Sequence, residues 1–222
     1  MSNVLVIAAH PDDELLGCGG VAIKHAQAGD LVYALILGEG VASRDEYAND
    51  AFSELRQEAK RAGDIIGFKE VFFSDFPDNR FDSVALLDIA KEVEKYVADI
   101  KPEVVYTHHG YDVNIDHQKI YHAVITACRP CNDNCPKELY TFETLSSTEW
   151  QHKDHKQFSP NVYVDIKDVL EQKVKAMEAY ASEIRDFPHS RSSEGIRVLA
   201  KFRGIEAGMY AAEALCLVRK LT

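Results

Sequence analysis

The sequence predicts an α/β fold: a Rossmann-like three-layer arrangement with a mostly parallel central sheet and helices on both faces. Three observations predict it. Strand-like and helix-like segments alternate along nearly all of the 222 residues, as in a chain that crosses from strand to strand through helices. The first strand-like run, Val4-Leu5-Val6-Ile7-Ala8-Ala9, is apolar throughout, as a strand covered on both faces must be. Gly29, Gly67 and Pro102 stand where successive elements should stop.

The remaining elements follow in order. Gly20 to Ala28 reads as a helix ending at Gly29, and Leu31 to Leu37 as a second strand closed by Gly38-Glu39-Gly40. Helical periodicity runs from Ala51 to Ile66, and Glu70 to Ser74 is a third strand. Ser83 is the expected N-cap of a helix reaching about Ile100, which Pro102 bars from continuing. Val104 to Thr107 is a fourth strand, followed by a helix from about His117 to Cys128. Leu139 to Phe142 and Val162 to Ile166 are less marked strands; helices from Val169 to Ile184 and from Ser193 to Leu217 finish the chain. There is no repeat or low-complexity segment, and residues 1–222 are expected to form one domain.

Composition excludes several classes of function. Hydrophobic residues make up 46% and charged residues 27%, a globular balance rather than a disordered one. A formal net charge of −11 repels phosphate backbones, so nucleic acid and anionic membranes are poor partners. No apolar run is long enough to span a bilayer. Met1-Ser2-Asn3 enters the first strand without the basic flank of a signal peptide, and the five cysteines are odd in number. The expectation is a cytoplasmic protein with reduced thiols.

In such folds the ligand site lies beyond the carboxyl ends of the strands. The first strand runs into His10-Pro11-Asp12-Asp13-Glu14, and the fourth into His108-His109-Gly110-Tyr111-Asp112-Val113-Asn114-Ile115-Asp116-His117. Two loops at one sheet edge thus supply imidazoles and carboxylates. A catalytic zinc site needs about three N or O ligands with one open position. A spare carboxylate beside the metal can act as general base.

His-Pro-Asp-Asp-Glu followed by Gly17-Cys18-Gly19-Gly20 resembles the signature of the LmbE-like or PIG-L de-N-acetylase family, and Asp112 to His117 resembles its second metal motif. Arg56 to Glu58, Asp78-Asn79-Arg80, Phe142-Glu143 with Ser146 to Trp150, and the tail from Arg203 to Glu213 add similarity along nearly the whole chain. The resemblance implies zinc, or iron(II) in the same donor set, held by His10, Asp13 and His117. It implies Asp12 as general base, Asp116 as a partner orienting an imidazole, and Arg56 and Asp78 as substrate contacts. Arg191, in a loop after Pro188, resembles a feature near the substrate entrance and is suited to hold a phosphate or carboxylate. The implied reaction removes the N-acetyl group of a small amino-sugar substrate, and relatives often form homo-oligomers. Many members carry His-x-Asp-His where this chain has Asn114. Asparagine can donate to an oxyanion but cannot be a general acid.

Rival readings come from the same residues. The acidic trio Asp12, Asp13 and Glu14 alone would suit a solvated helix N-terminus. Gly17-Cys18-Gly19-Gly20-Val21-Ala22 satisfies G-x-G-x-x-A, but seven residues, three of them acidic, separate it from the first strand. A dinucleotide turn should follow at once, so the glycines read as close-packing positions. Cys128, Cys131 and Cys135 are spaced to suggest a metal or redox site, yet no fourth ligand is near. The alternatives to a deacetylase are a catalytically silent metal-binding domain for glycans or a partner, and an amidase acting on a non-sugar amide.

Overall fold

The computed structural model describes residues 1–40, 51–154 and 156–222. Its strands are β1 (Asn3–Ala8), β2 (Leu31–Gly38), β3 (Glu70–Phe76), β4 (Val104–His108), β5 (Glu138–Phe142), β6 (Val162–Asp165) and β7 (Ala212–Lys220). Its helices are α1 (Asp13–Gln27), α2 (Ala51–Ile66), α3 (Leu86–Ile100), α4 (Ile115–Ala127), α5 (Leu170–Glu178) and α6 (Ser193–Ala207). One seven-stranded sheet has the order β3-β2-β1-β4-β5-β7-β6. The first five are mutually parallel, and β7 runs antiparallel to β5 and β6.

The continuous apolar run of β1 serves two cores at once. Val4 and Val6 belong to a cluster with α1, α2, α5 and α6; Leu5 and Ile7 belong to the cluster with α3 and α4. This alternation is the two-residue period of a strand buried on both faces. From β1 the chain winds outward through β2 and β3, then returns to place β4 on the other side of β1. The crevice between the carboxyl ends of β1 and β4 is therefore the topological switch point where such folds bind ligands.

Four boundaries differ from the sequence expectation. The first helix starts at Asp13 rather than Gly20, with a break at Cys18 (φ −146°, ψ 28°). Two buried side chains span that break. Glu213 accepts the backbone N–H groups of Gly20 and Val21, both at 2.7 Å, and Lys173 Nζ donates to Leu16 O at 3.0 Å and to Glu213 at 2.6 Å. The groups that a helix break orphans are thus satisfied from β7 and α5. Ser83 does not cap α3: its hydroxyl donates back to Arg80 O, closing a single 3₁₀ turn, and α3 begins at Leu86. The helix from Val169 is shorter than expected, ending at Glu178.

The largest correction is at the C-terminus. The last helix stops at Ala207, where Gly208 (φ 69°) takes the left-handed conformation and Met209 N–H bonds Gly204 O. Ala212–Lys220 is then a strand. Its alanines and leucines favour helix locally, but pairing on both edges with β5 and β6 overrides that preference. The glycines do act as close-packing positions: a Cβ at Gly17 would enter the Phe142 ring, and one at Gly20 would lie 2.8 Å from Ile166. Among the described residues no helix is long and apolar enough to cross a membrane.

Candidate active site

The turn after β1 and the start of α1 set three consecutive groups into one crevice. Asp12 is the N-cap of α1 with φ 108°, a backbone region that L residues rarely enter. Such strain costs about 1–3 kcal/mol and persists where surrounding contacts enforce it. Here Asp12 N–H bonds the buried Glu14 carboxylate, whose other oxygen accepts the Tyr180 hydroxyl. Glu14, pushed up to about 7 by burial despite that hydroxyl, underpins the turn. Beside it, Asp13 Oδ2 accepts the backbone N–H of His10 at 2.8 Å.

The second loop brings the partners. Asn114 caps α4 by accepting Asp116 N–H at 2.8 Å, which starts that helix two residues before His117 and turns the ring toward β1. Asp13 Oδ2 lies 3.2 Å from both His10 Nδ1 and His117 Nε2. Ligand atoms of His10, Asp13 and His117 all fall within 4.8 Å of one another. Each imidazole also has a carboxylate behind it. His10 Nε2 is 2.9 Å from Asp116 Oδ2, which is itself fixed by the Asn79 N–H, and 3.2 Å from Asp78 Oδ1. His117 Nδ1 is 3.4 Å from Asp112 Oδ2. Carboxylates placed so fix the tautomer of a metal-binding histidine.

The donor set suits a divalent metal by two further observations. Both ring nitrogens of His117 are buried without a formed hydrogen bond. Burial opposes charge on His10 and His117, yet the surrounding carboxylates win: His10 stands well above its ordinary pKa and His117 rises to about 9. Burial likewise raises Asp13 and Asp112, but the imidazoles hold Asp13 well below the usual carboxylate range and Asp112 down at about 2. Charged imidazoles packed on carboxylates are the metal-free counterpart of a site where a cation displaces protons.

His108 is excluded from that set by its hydrogen bonds. Its Nε2 accepts the backbone N–H of Ala9 at 2.9 Å, so the proton sits on Nδ1, 3.2 Å from Thr144 Oγ1. With its lone pair engaged, and held neutral by burial and the nearby His117, it serves as a flat support stacked 3.8 Å from the His117 ring.

His10, Asp12, Asp13 and His117 line a polar cavity of about 250 Å³ with Asn79, Asn114, Thr144, Ser146, Ser147, Glu183 and Arg191. Arg191 Nη1 bridges Asp12 Oδ2 at 3.1 Å and Glu183 Oε2 at 2.9 Å. Burial and the charge of Asp13 hold the Asp12 carboxyl well above its ordinary pKa, against the pull of Arg191. Asn114 Nδ2 donates to Asn79 Oδ1 at 3.1 Å. Asp78 lines the cavity as well.

Of the residues singled out from sequence, Asp116 lies behind His10 rather than on the cavity wall, and Arg56 is not at the cavity. Its guanidinium lies over Phe52 and Phe73 and bonds Ser74 O and Asp75. No group of potential ligands among the described residues includes Cys128, Cys131 or Cys135; Cys135 instead donates to Cys128 O. Sequence reasoning missed the roles of Asp112, Glu14 and Glu183. Asp112 carries a usable signal, five residues before His117 across a helix start, whereas Glu183 has none.

Residues 5–128 match the family model described as PIG-L: GlcNAc-PI de-N-acetylase. The diacetylchitobiose deacetylase of Thermococcus kodakarensis is 27% identical over 229 residues, covering 98% of this chain and 84% of that protein. The fold is shared with the N,N'-diacetylchitobiose deacetylase of Pyrococcus horikoshii, solved with its inhibitor MPG, at a TM-score of 0.80 and 20% identity, covering 98% of this chain and 84% of that one. It is also shared with GalB, the 4-carboxy-2-hydroxymuconate hydratase of Pseudomonas putida, at 0.78 and 23%, covering 100% and 98%. The same fold thus carries a hydratase, so the reaction is set by the site rather than by the fold.

Proposed function

Because the chain belongs to the PIG-L family of GlcNAc-PI de-N-acetylases, we propose that it is a zinc-dependent hydrolase removing the N-acetyl group of an amino sugar. The observation that carries this reading is the convergence of His10, Asp13 and His117 on one side of a polar cavity, with Asp12 facing the same space. Bound by those three residues, zinc, or iron(II) in its place, would acidify water and polarise an acetamide carbonyl.

The protein's own groups account for the proton transfers. Asp12 is the general base: Arg191 engages its Oδ2, and the other oxygen takes a proton from the attacking water. Water and amide become acetate and an amine; the carbon–nitrogen bond breaks as Asp12 returns the proton to nitrogen. Asn114 contributes an N–H donor to the developing oxyanion, since its carbonyl is occupied in capping α4. Asp116 and Asp112 hold the imidazoles in place from behind.

The test is acetate release from N-acetylated sugars and nucleotide sugars by metal-loaded protein beside an Asp12→Asn control. Loss of the general base should lower turnover by about 10²–10⁴-fold while metal content is unchanged. Release that ignores both metal and Asp12 would overturn the proposal, as would silence across the panel with metal bound.

A further inference from the structure

Resting on the assignment of Asp12 as general base, we infer that Tyr180, a residue outside the cavity, is the positioning residue that keeps the Asp12 carboxylate out of a helix cap and in the site. An aspartate at a helix N-cap ordinarily has extended backbone angles and turns its side chain onto the N–H of the second or third helical residue. Asp12 holds that position in α1 with φ 108°, and its carboxylate makes no cap bond. Its carbonyl still accepts Leu15 and Leu16 N–H, at 3.1 and 2.9 Å. The helix thus starts without the side chain, which faces the cavity beside Arg191.

A hydrogen-bonded chain ending on Tyr180 holds this unfavourable φ. Asp12 N–H donates to Glu14 Oε2 at 3.1 Å, and Glu14 Oε1 accepts the Tyr180 hydroxyl at 2.5 Å, from 166 residues away in sequence. Neither Glu14 nor Tyr180 lines the cavity; they are 1% and 0% exposed. Out of reach of substrate, they act through Asp12. Tyr180 also reaches Asp12 from its other end. The Tyr180 carbonyl accepts Glu183 and Ile184 N–H, both at 3.0 Å, which fixes the turn after α5. Glu183 in that turn accepts Arg191 Nη1, which also donates to Asp12 Oδ2. One residue therefore anchors both the backbone and the carboxylate of Asp12.

The strain at a left-handed aspartate and a hydrogen bond to a carboxylate are similar in size, so loss of the chain is enough to release the turn. Without the Tyr180 hydroxyl, Glu14 Oε1 is a buried acceptor that has lost its donor. The carboxylate turns to find another, and Asp12 N–H is freed. Asp12 then relaxes into an ordinary cap, bonded to the first turn of α1 and turned from the cavity.

The test is a double-mutant cycle read beside crystal structures, so that the two readings fail separately. On a sugar whose acetate is released, Tyr180→Phe should lower kcat at least about tenfold, since a misplacement of about 1 Å can cost about 10²-fold, with KM and the zinc dissociation constant within about threefold of wild type. In an Asp12→Asn background the same substitution should change kcat by less than about twofold, because the base it acts through is already gone. A merely structural role would lower kcat equally in both backgrounds. Glu14→Gln keeps a carbonyl for Asp12 N–H and offers its NH₂ to the Tyr180 oxygen, so it should recover most of the rate that Glu14→Ala loses. Crystal structures of wild type and Tyr180→Phe read Asp12 whether or not any sugar is turned over: its φ should be positive in the first and negative in the second. Equal effects in the two backgrounds, or Asp12 unmoved in a folded Tyr180→Phe protein, would overturn the inference. Should that variant fail to fold, Glu14→Gln decides: Asp12 kept at positive φ supports the chain, and Asp12 displaced overturns it. Absence of acetate release with Asp12 moving as expected would overturn the deacetylase reading instead.

Discussion

Replacing Asp112 by asparagine keeps the shape of the side chain and removes its charge, and the structure says where the amide must turn. Asp112 Oδ1 accepts the Asn114 backbone N–H at 3.0 Å and the Ser147 hydroxyl; Oδ2 accepts the Thr148 hydroxyl and faces His117 Nδ1 at 3.4 Å. A backbone N–H can only donate, so the asparagine carbonyl has to remain at the Oδ1 position. Its NH₂ then falls at the Oδ2 position. Thr148 can rotate its hydroxyl to accept from it, but His117 Nδ1 has to become an acceptor too. The ring proton moves to Nε2, the atom 3.2 Å from Asp13, where a metal requires a lone pair. Loss of such a partner weakens metal binding by about 10–100-fold. The wrong tautomer adds to it, so we expect the upper end, about 100-fold or 2.7 kcal/mol. A zinc dissociation constant measured by competition with a chromophoric chelator reads this directly, with a thermal melt to show that the variant is folded. A folded Asp112→Asn protein binding zinc within about threefold of wild type would refute the assignment of His117 Nε2 as the metal-facing atom.

Three further substitutions separate site chemistry from scaffold. In Asp116→Asn both oxygens are already committed to backbone donors, Phe81 N–H and Asn79 N–H, so one buried donor is orphaned whichever way the amide turns. Urea unfolding should show a loss of about 1–3 kcal/mol, and an unchanged midpoint would argue that the loop relaxes. Asn114→His removes the α4 cap, which costs about 0.5–2 kcal/mol, so the melting temperature should fall while zinc affinity holds. A large shift in zinc affinity instead would place residue 114 among the metal's neighbours. Glu213→Ala leaves Lys173 buried without its partner and two helix N–H groups unsatisfied. Chemical denaturation should register at least about 3–5 kcal/mol, enough to threaten folding, and a loss under about 1 kcal/mol would show that the break in α1 needs no such support.

The sequence by itself determined the strands that build the crevice and the residues at their ends. β1 to β4 are apolar runs bounded by glycine and proline, signals that need no partner to be read. Parallel strands in one sheet then force His10, Asp12 and Asp13 to the same edge as Asp116 and His117. Tertiary structure decided the rest. Ala212–Lys220 is a strand because β5 and β6 flank it, although its own residues favour helix. Arg56 and Arg191 are equivalent as arginines, but only the second is brought to the cavity, because Asp12 and Glu183, 179 and 8 residues away in sequence, meet around it. Hydrophobic period and turn chemistry are local properties of the chain. Which carboxylate backs His10, and which ones meet Arg191, depends on contacts closed across the whole fold, and no local pattern encodes those pairings.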